Sequence, residues 1–290
     1  AFNSVQSNTI CAAFEQAFQV DNRTMGIILT GLSLAIFFGG IQRIAKVSSI
    51  IVPVMAAGYI ILAIAIIALN IHHIPYVLKT IVTHAFGWEQ AIGGGIGVAI
   101  MQGVKRGLFS NEAGMGSAPN VAATADVSHP VKQGLIQALD TLIICSCTAF
   151  IILFSGVPLS GEVNGVQLTQ LALDSQIGSW GSIYVAIAIL FFAYSSIIGN
   201  YYYGEANIRY ITNNKKVMVL FRLLSGGMVL FGSLASLDLA WSLADVCMGL
   251  MTICNLIAIV LLGKYAFRLL DDYCEQKRQG IKDPTFKKEK

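Results

Sequence analysis

Long apolar runs, nearly empty of charge, limit what this chain can fold into more than any other feature. Met25–Ile41, Ser48–Leu69 and Ile183–Tyr203 hold no charged residue, while Gly134–Gly156, Val217–Ala235 and Ala240–Gly263 hold one each: Asp140, Arg222 and Asp245. At about 1.5 Å of rise per residue, roughly 20 such residues cross a hydrocarbon layer about 30 Å thick. Only 12% of the residues are charged, against about 25% in soluble domains. The chain therefore reads as an all-α, polytopic transmembrane bundle of about seven or eight helices over residues 1–263, with a charged tail over 264–290. The basic residues flank the apolar runs and form no aromatic-interleaved stripe, which argues against a nucleic-acid partner. The six cysteines form no CxxC pair, and four lie in apolar runs, where the thiol behaves as a small buried hydrophobe.

Charge distribution predicts the topology. With Arg43, Lys46, Lys105, Arg106, Lys132, Arg209, Lys215, Lys216, Arg222 and the tail on the cytoplasmic side, only Arg23 and Lys79 of the 19 basic residues fall outside. That asymmetry follows the positive-inside rule and makes the tail cytoplasmic. On this topology Arg222 snorkels at the cytoplasmic edge, and Asp245 caps its helix near the outer edge. Asn70–Glu89 carries Ile74, Val77, Leu78, Ile81 and Val82 at helical spacing, which predicts a short amphipathic helix on the outer face. His72 and His73 are adjacent, so they do not face one ligand together.

Two interruptions of the apolar pattern are candidate sites. One is Gly93-Gly94-Gly95-Ile96-Gly97, where missing side chains weaken a helix and leave room for a small ligand, or simply allow close helix packing. Another is Gly107–Pro119, a polar knot of glycines, Ser110, Asn111, Glu112 and Ser117 whose irregular backbone needs polar partners. Its bland reading is a capped loop between two helices. Ser195-Ser196 adds two hydroxyls in mid-span, which either bond back to the preceding turn or offer oxygen to a hard cation.

RGLFSNEAGMGSAP (106–119), with His129-Pro130-Val131-Lys132-Gln133-Gly134, resembles the alanine or glycine:cation symporter family, the sodium:alanine symporters. Phe192-Ala193-Tyr194-Ser195-Ser196 followed by Tyr201-Tyr202-Tyr203-Gly204-Glu205 resembles a second family motif. Trp241-Ser242-Leu243-Ala244-Asp245, with Asn255-Leu256-Ile257-Ala258, resembles a third. The resemblance implies a leucine-transporter-like inverted-repeat fold with solute bound where helices break at the bilayer midplane. It also implies earlier helices ahead of Ala1-Phe2-Asn3, and the chain is expected to be the later part of a longer protein.

What the resemblance implies for the site is specific. The glycine-rich segment is expected to unwind, with Gly95 and Ala99 lining the solute pocket. Ser196, Asn200 and Gln6 are expected to contact the solute, and Ser195 and Ser196 the sodium ion. Family members often carry a bulky residue at the position of Gly95 and Trp at that of Asn200, so this pocket differs in shape. Asn111, Glu112, Gly114 and Gly116 are expected to lock a loop sealing the inner gate. Asp140 is the intramembrane charge singled out for a gating role, with helix pairing as its alternative. The resulting expectation is sodium-coupled symport of a small neutral amino acid such as alanine or glycine across the plasma (inner) membrane, with no cofactor beyond the coupling ion. A channel-like or non-transporting membrane subunit is the alternative. No GxSxG, His/Asp/Glu cluster or metal-spaced set suggests an enzyme.

Overall fold

The computed structural model describes residues 1–39, 41–85, 95–112, 114–158 and 163–286, and every regular element among them is helical. In chain order the helices are α1 (Phe2–Phe18), α2 (Asn22–Gly39), α3 (Ile41–Leu69), α4 (Ile74–Ala85), α5 (Gly95–Asn111), α6 (Ala118–Ala122), α7 (Pro130–Phe154), α8 (Val166–Ile177), α9 (Trp180–Ile211), α10 (Lys215–Leu234) and α11 (Leu237–Arg278). Six are long and apolar enough to cross a membrane: α2, the Val52–Leu69 part of α3, α7, α9, α10 and α11. They coincide with the six apolar runs read from the sequence.

Several boundaries differ from the sequence reading. Helix α3 starts at Ile41, ahead of the Ser48–Leu69 run, so Pro53 sits well inside it; lacking an N–H, it leaves the Ser49 carbonyl without its usual helical partner. Helix α5 continues through Lys105, Arg106 and Gly107 to Asn111, so the first part of the polar motif is helical and the irregular backbone is confined to the residues after it. Glycine alone does not end a helix whose flanking residues favour it, because its penalty is only about 1 kcal/mol relative to Ala. Helix α8 gave no apolar signal, since it mixes Gln167, Thr169, Gln170 and Asp174 with its leucines. The predicted helix after Asn70 is present as α4.

The fold divides into two compact units, Ala1–Phe86 with Ser146–Ala244, and Gly87–Cys145 with Asp245–Lys290. In the first, α1 packs on α9, α10 and α2 around Ile10, Leu29, Phe37, Ala193, Ile197, Tyr201 and Val229. Small residues bring the backbones together. A Cβ added at Gly232 would fall 2.6 Å from the Ser4 carbonyl carbon, so α10 and α1 touch main chain to main chain. Polar groups tie the same contact: Ser7 donates to the Val229 carbonyl at 2.5 Å, and Asn8 to those of Gly232 and Ala235 at 3.1 and 2.7 Å. Buried Gln170 fastens α8 by donating to the Ala13 and Ser182 carbonyls. Large apolar side chains such as Ile27, Leu32, Val54, Ile61 and Leu223 point outward instead. Serine and glycine at the closest helix contacts, with many further leucines and isoleucines facing outward, is the pattern of helices packed in lipid.

The second unit holds α5, the knot, α6, the first part of α7 and most of α11. Up to residue 286 the charged tail is folded back and hydrogen-bonded. Helix α11 extends to Arg278, Gly280 (φ +81) reverses the chain, and the Phe286 N–H donates to the Ser128 carbonyl at 2.8 Å.

Candidate functional site

In the first unit the residues proposed for sodium sit on α9, which is continuous through them. Both hydroxyls donate to one acceptor, the Phe192 carbonyl, Ser195 at 2.8 Å and Ser196 at 3.0 Å. The back-bonding alternative is therefore what the structure shows. A hydroxyl has one donor and two lone pairs, and engaging the proton with the backbone leaves the lone pairs for a cation. Asn200 lies one turn beyond Ser196 on the same helix face, and both are partly buried. Gln6 lies on α1 and is also partly buried.

A charged cluster near the end of α9 was missed by sequence reasoning. Glu205 is 2% exposed. Its Oε1 accepts from Arg209 Nε at 2.8 Å and Nη2 at 2.6 Å, and faces Arg222 Nη2 at 3.6 Å. Its Oε2 accepts from the Tyr201 hydroxyl. Tyr201 also accepts from Arg222 Nε at 3.2 Å and stacks on Phe37 at 3.9 Å. Arg222 thus does not snorkel to the membrane edge. It turns inward, because a buried carboxylate and the Phe38 ring, 5.3 Å from its guanidinium carbon, offer partners that water does not surpass. The signal was available: Tyr201, Glu205 and Arg209 recur at i, i+4 and i+8 on one face.

In the second unit, α5 starts at Gly95, so Gly95-Ile96-Gly97 is helical and does not unwind. Gly93 and Gly94 lie outside the described residues, as do the surroundings of Gly95 and Ala99. Farther along α5, Lys105 Nζ and Arg106 Nη2 reach Asp245 at 3.4 and 3.1 Å. This overturns two expectations. Asp245 is the ninth residue of α11 and does not cap it. Nor can Asp245 lie at the outer edge while Lys105 and Arg106 lie at the cytoplasmic one, since a bilayer separates those faces by about 30 Å. The pairing was not anticipated because the basic residues are held by a partner distant in sequence.

The knot itself has a defined geometry. Glu112 takes a left-handed conformation (φ 54), ending α5 with its N–H on the Leu108 carbonyl at 3.1 Å. Its own carbonyl accepts from the N–H groups of Met115 and Gly116, each at 3.2 Å, and its Oε2 from the Ser117 hydroxyl at 2.8 Å. Burial pushes the Glu112 carboxyl above the usual carboxylate range, with the Ser117 bond opposing. The Gly114 carbonyl accepts from Asn255 Nδ2 at 3.0 Å, and Gly116 (φ +92) lies against the Asn255 side chain. Among the predicted gating residues, Glu112, Gly114 and Gly116 are thus brought together with Ser117 and Asn255. The side chains of Asn111, at the end of α5, and Asp140, on α7, lie outside the description.

Comparison with known proteins agrees with the membrane-spanning helices. The sequence profile of the sodium:alanine symporter family matches residues 1–288. The chain is 54% identical over 292 residues to the probable sodium/glutamine symporter GlnT of Bacillus subtilis (strain 168), covering 99% of this chain and 61% of that protein. It is 50% identical over 290 residues to the amino-acid carrier protein AlsT of the same organism, covering 99% and 62%. To the sodium/alanine symporter AgcS of Methanococcus maripaludis it is 39% identical over 268 residues, covering 90% and 59%. The chain thus spans about three-fifths of the length of these relatives. With its helices and its sequence in agreement, this multi-pass membrane chain belongs to the sodium:alanine symporter family, a family of transporters and not of enzymes.

Proposed function

We propose that the protein carries a small neutral amino acid such as alanine or glycine, together with sodium, across the plasma membrane. The observation that carries this reading is the pairing of family membership with the Ser195–Ser196 geometry, where two hydroxyl protons are spent on one carbonyl and no donor among the described residues takes the lone pairs. Sodium is a hard cation that takes oxygen ligands, as calcium and magnesium do. Ser195 and Ser196 supply two of them, and Asn200, one turn on, presents an amide to the solute. Gln6 is a further solute contact in the first unit, and Gly95 and Ala99 are candidates in the second. The leucine-transporter-like inverted-repeat arrangement and a cytoplasmic tail belong to the same proposal.

Mechanism follows from linkage. If each bound species raises the affinity for the other, the occupied carrier reorients with both aboard and the sodium gradient drives uptake. Glu112, Gly114, Gly116 and the Asn111 beside them form the inner seal, and Asp140 on α7 is proposed to act with it. Glutamine, named for one relative, is the competing substrate and is tested beside alanine.

The experiment measures the sodium concentration that half-saturates uptake in reconstituted vesicles. Ser196→Ala is expected to raise it about tenfold, the equivalent of about 1.4 kcal/mol in one oxygen ligand, with Ser195→Ala acting in the same direction. Unchanged sodium dependence in both variants, with alanine uptake intact, would remove the hydroxyls from the ion site.

A further inference from the structure

We infer that residues 279–286, which follow α11, form a strap that docks on the elbow between α6 and α7 and acts as a brake on the transport cycle. Part of this inference, the brake, rests on the transport reading above; the docking does not. Gly280 begins the strap. Its left-handed conformation, its N–H on the Lys277 carbonyl at 3.1 Å and the Ile281 N–H on the Gln276 carbonyl at 3.0 Å turn the chain back along α11. Gln276 then pairs with Thr285 in both directions, accepting from its N–H at 2.9 Å and donating to its carbonyl at 3.0 Å. Lys277 Nζ donates to the Lys282 carbonyl at 2.9 Å.

The docking site is built around His129, which is fully buried. Its ring lies 5.1 Å from Tyr273 of α11 and 5.9 Å from Phe286 of the strap. Nδ1 accepts from the Val131 N–H at 3.2 Å, which leaves Nε2 to donate to Asp272 Oδ2 at 3.1 Å. Gln276 Nε2 donates to the same Asp272 oxygen at 2.9 Å, so one carboxylate joins the elbow, α11 and the residue that holds the strap. Around this centre, Asp283 accepts from Ser128 at 3.2 Å and from Lys132, and the Phe286 N–H closes the contact on the Ser128 carbonyl.

The consequence lies in what the strap holds. The segment from the knot to the start of α7 is pinned to α11 at both ends, Gly114 to Asn255 and His129 to Asp272 with the strap. Between the pins lies a cleft of about 520 Å³ lined by Ala118, Pro119, Ala122, Val127, Pro130 and Gln133. A segment fixed at both ends moves only when a pin releases. The strap is the pin built for release. Its ion pair is formed by an Asp283 that is 71% exposed, and such pairs contribute at most about 1 kcal/mol. The lasting part is the aromatic cover on His129.

A disulfide trap tests this in the reconstituted protein. Ser128→Cys with Asp283→Cys, in a background where exposed Cys145, Cys254 and Cys274 are serine, is oxidised with copper phenanthroline. The expected result is an intramolecular cross-link that lowers the maximal rate of sodium-driven alanine uptake about fivefold or more, leaves the half-saturating alanine concentration unchanged, and is reversed by dithiothreitol. No cross-link overturns the docking, and a cross-link without effect on rate overturns the brake. A second measurement needs no substrate: Val127→Cys, half-buried in the cleft wall next to Ser128, in the same background with Ser128 and Asp283 native, is labelled with a maleimide. Phe286→Ala is expected to speed that labelling about tenfold, and equal rates overturn the pin. Absence of any uptake by the unmodified protein sinks the transport reading and leaves cross-linking and labelling to decide the strap.

Discussion

Asn255 donates its side-chain amide to the Gly114 carbonyl at 3.0 Å, and the same side chain fills the space that a Cβ on Gly116 would need, at 3.0 Å from both its Cβ and Cγ. One residue of α11 thus both holds the knot and sets its size limit. Gly116→Ala meets this contact and also the left-handed backbone, which disfavours a side chain by about 1–2 kcal/mol. Thermal unfolding in detergent is expected to show a loss of about 2–3 kcal/mol. Asn255→Ala alone loses about 1 kcal/mol for the hydrogen bond. The double variant is expected to lose less than the sum, because the contacts with Asn255 Cγ and Oδ1 are gone and only that with Cβ remains; strict additivity would mean the two residues do not meet.

Glycines on α10 offer an internal control. Gly232 faces the Ser4 main chain, while Gly227 has nothing within 4 Å of a built Cβ. Gly232→Ala must push two helix backbones apart and is expected to destabilise by about 1–3 kcal/mol, the usual range for overpacking. Gly227→Ala is expected to be neutral or slightly stabilising, since alanine favours a helix. Equal unfolding temperatures for the two variants would contradict the close α1–α10 contact.

Removal of Glu205 strands charges that removal of Arg209 does not. Glu205→Ala leaves Arg222, 17% exposed in its side chain, without its carboxylate, and breaking such a buried pair destabilises by about 3–5 kcal/mol. Arg209 is 51% exposed, and Arg209→Ala leaves Glu205 its Tyr201 and Arg222 partners, so it is expected to lose less, about 1.5–3 kcal/mol for hydrogen bonds to a charged group. Yield of folded protein by size-exclusion chromatography separates the two, and similar yields would show that the cluster is not held by Glu205.

The knot should respond to pH through Glu112. Burial raises its folded carboxyl above the unfolded value, so the folded state holds the proton more tightly. The associated stability is fully present below the unfolded carboxylate range and falls as pH rises through the raised value. Glu112→Gln keeps an oxygen for Ser117 and removes the charge. Unfolding in detergent from mildly acidic to neutral pH is expected to show a flatter stability profile for Glu112→Gln than for the parent, while alanine uptake slows at unchanged half-saturation. A parent profile that rises over that interval would contradict the buried carboxyl.

Charge-poor apolar runs made six crossing helices readable, because a hydrocarbon environment imposes length and composition that few other constraints mimic. Helix α8 was hidden for the opposite reason: Gln170 is buried by hydrogen bonds to two carbonyls, not by hydrophobicity. The Lys105–Arg106–Asp245 contact was equally illegible, since it joins positions 139 and 140 residues apart. Ser195 and Ser196 were named from the sequence, yet their shared acceptor on Phe192 needed the helix to be built. The strap is not legible in the charged tail because Asp283, Thr285 and Phe286 carry no pattern until Gly280 turns them onto Ser128 and His129.

Sodium-driven counterflow in vesicles tests the central claim most directly. Vesicles preloaded with unlabelled alanine should accumulate labelled alanine transiently, only with sodium present, and the Ser195→Ala/Ser196→Ala variant should need far more sodium for the same overshoot. Labelled alanine that enters down its own gradient without overshoot, equally with or without sodium, would contradict a coupled carrier.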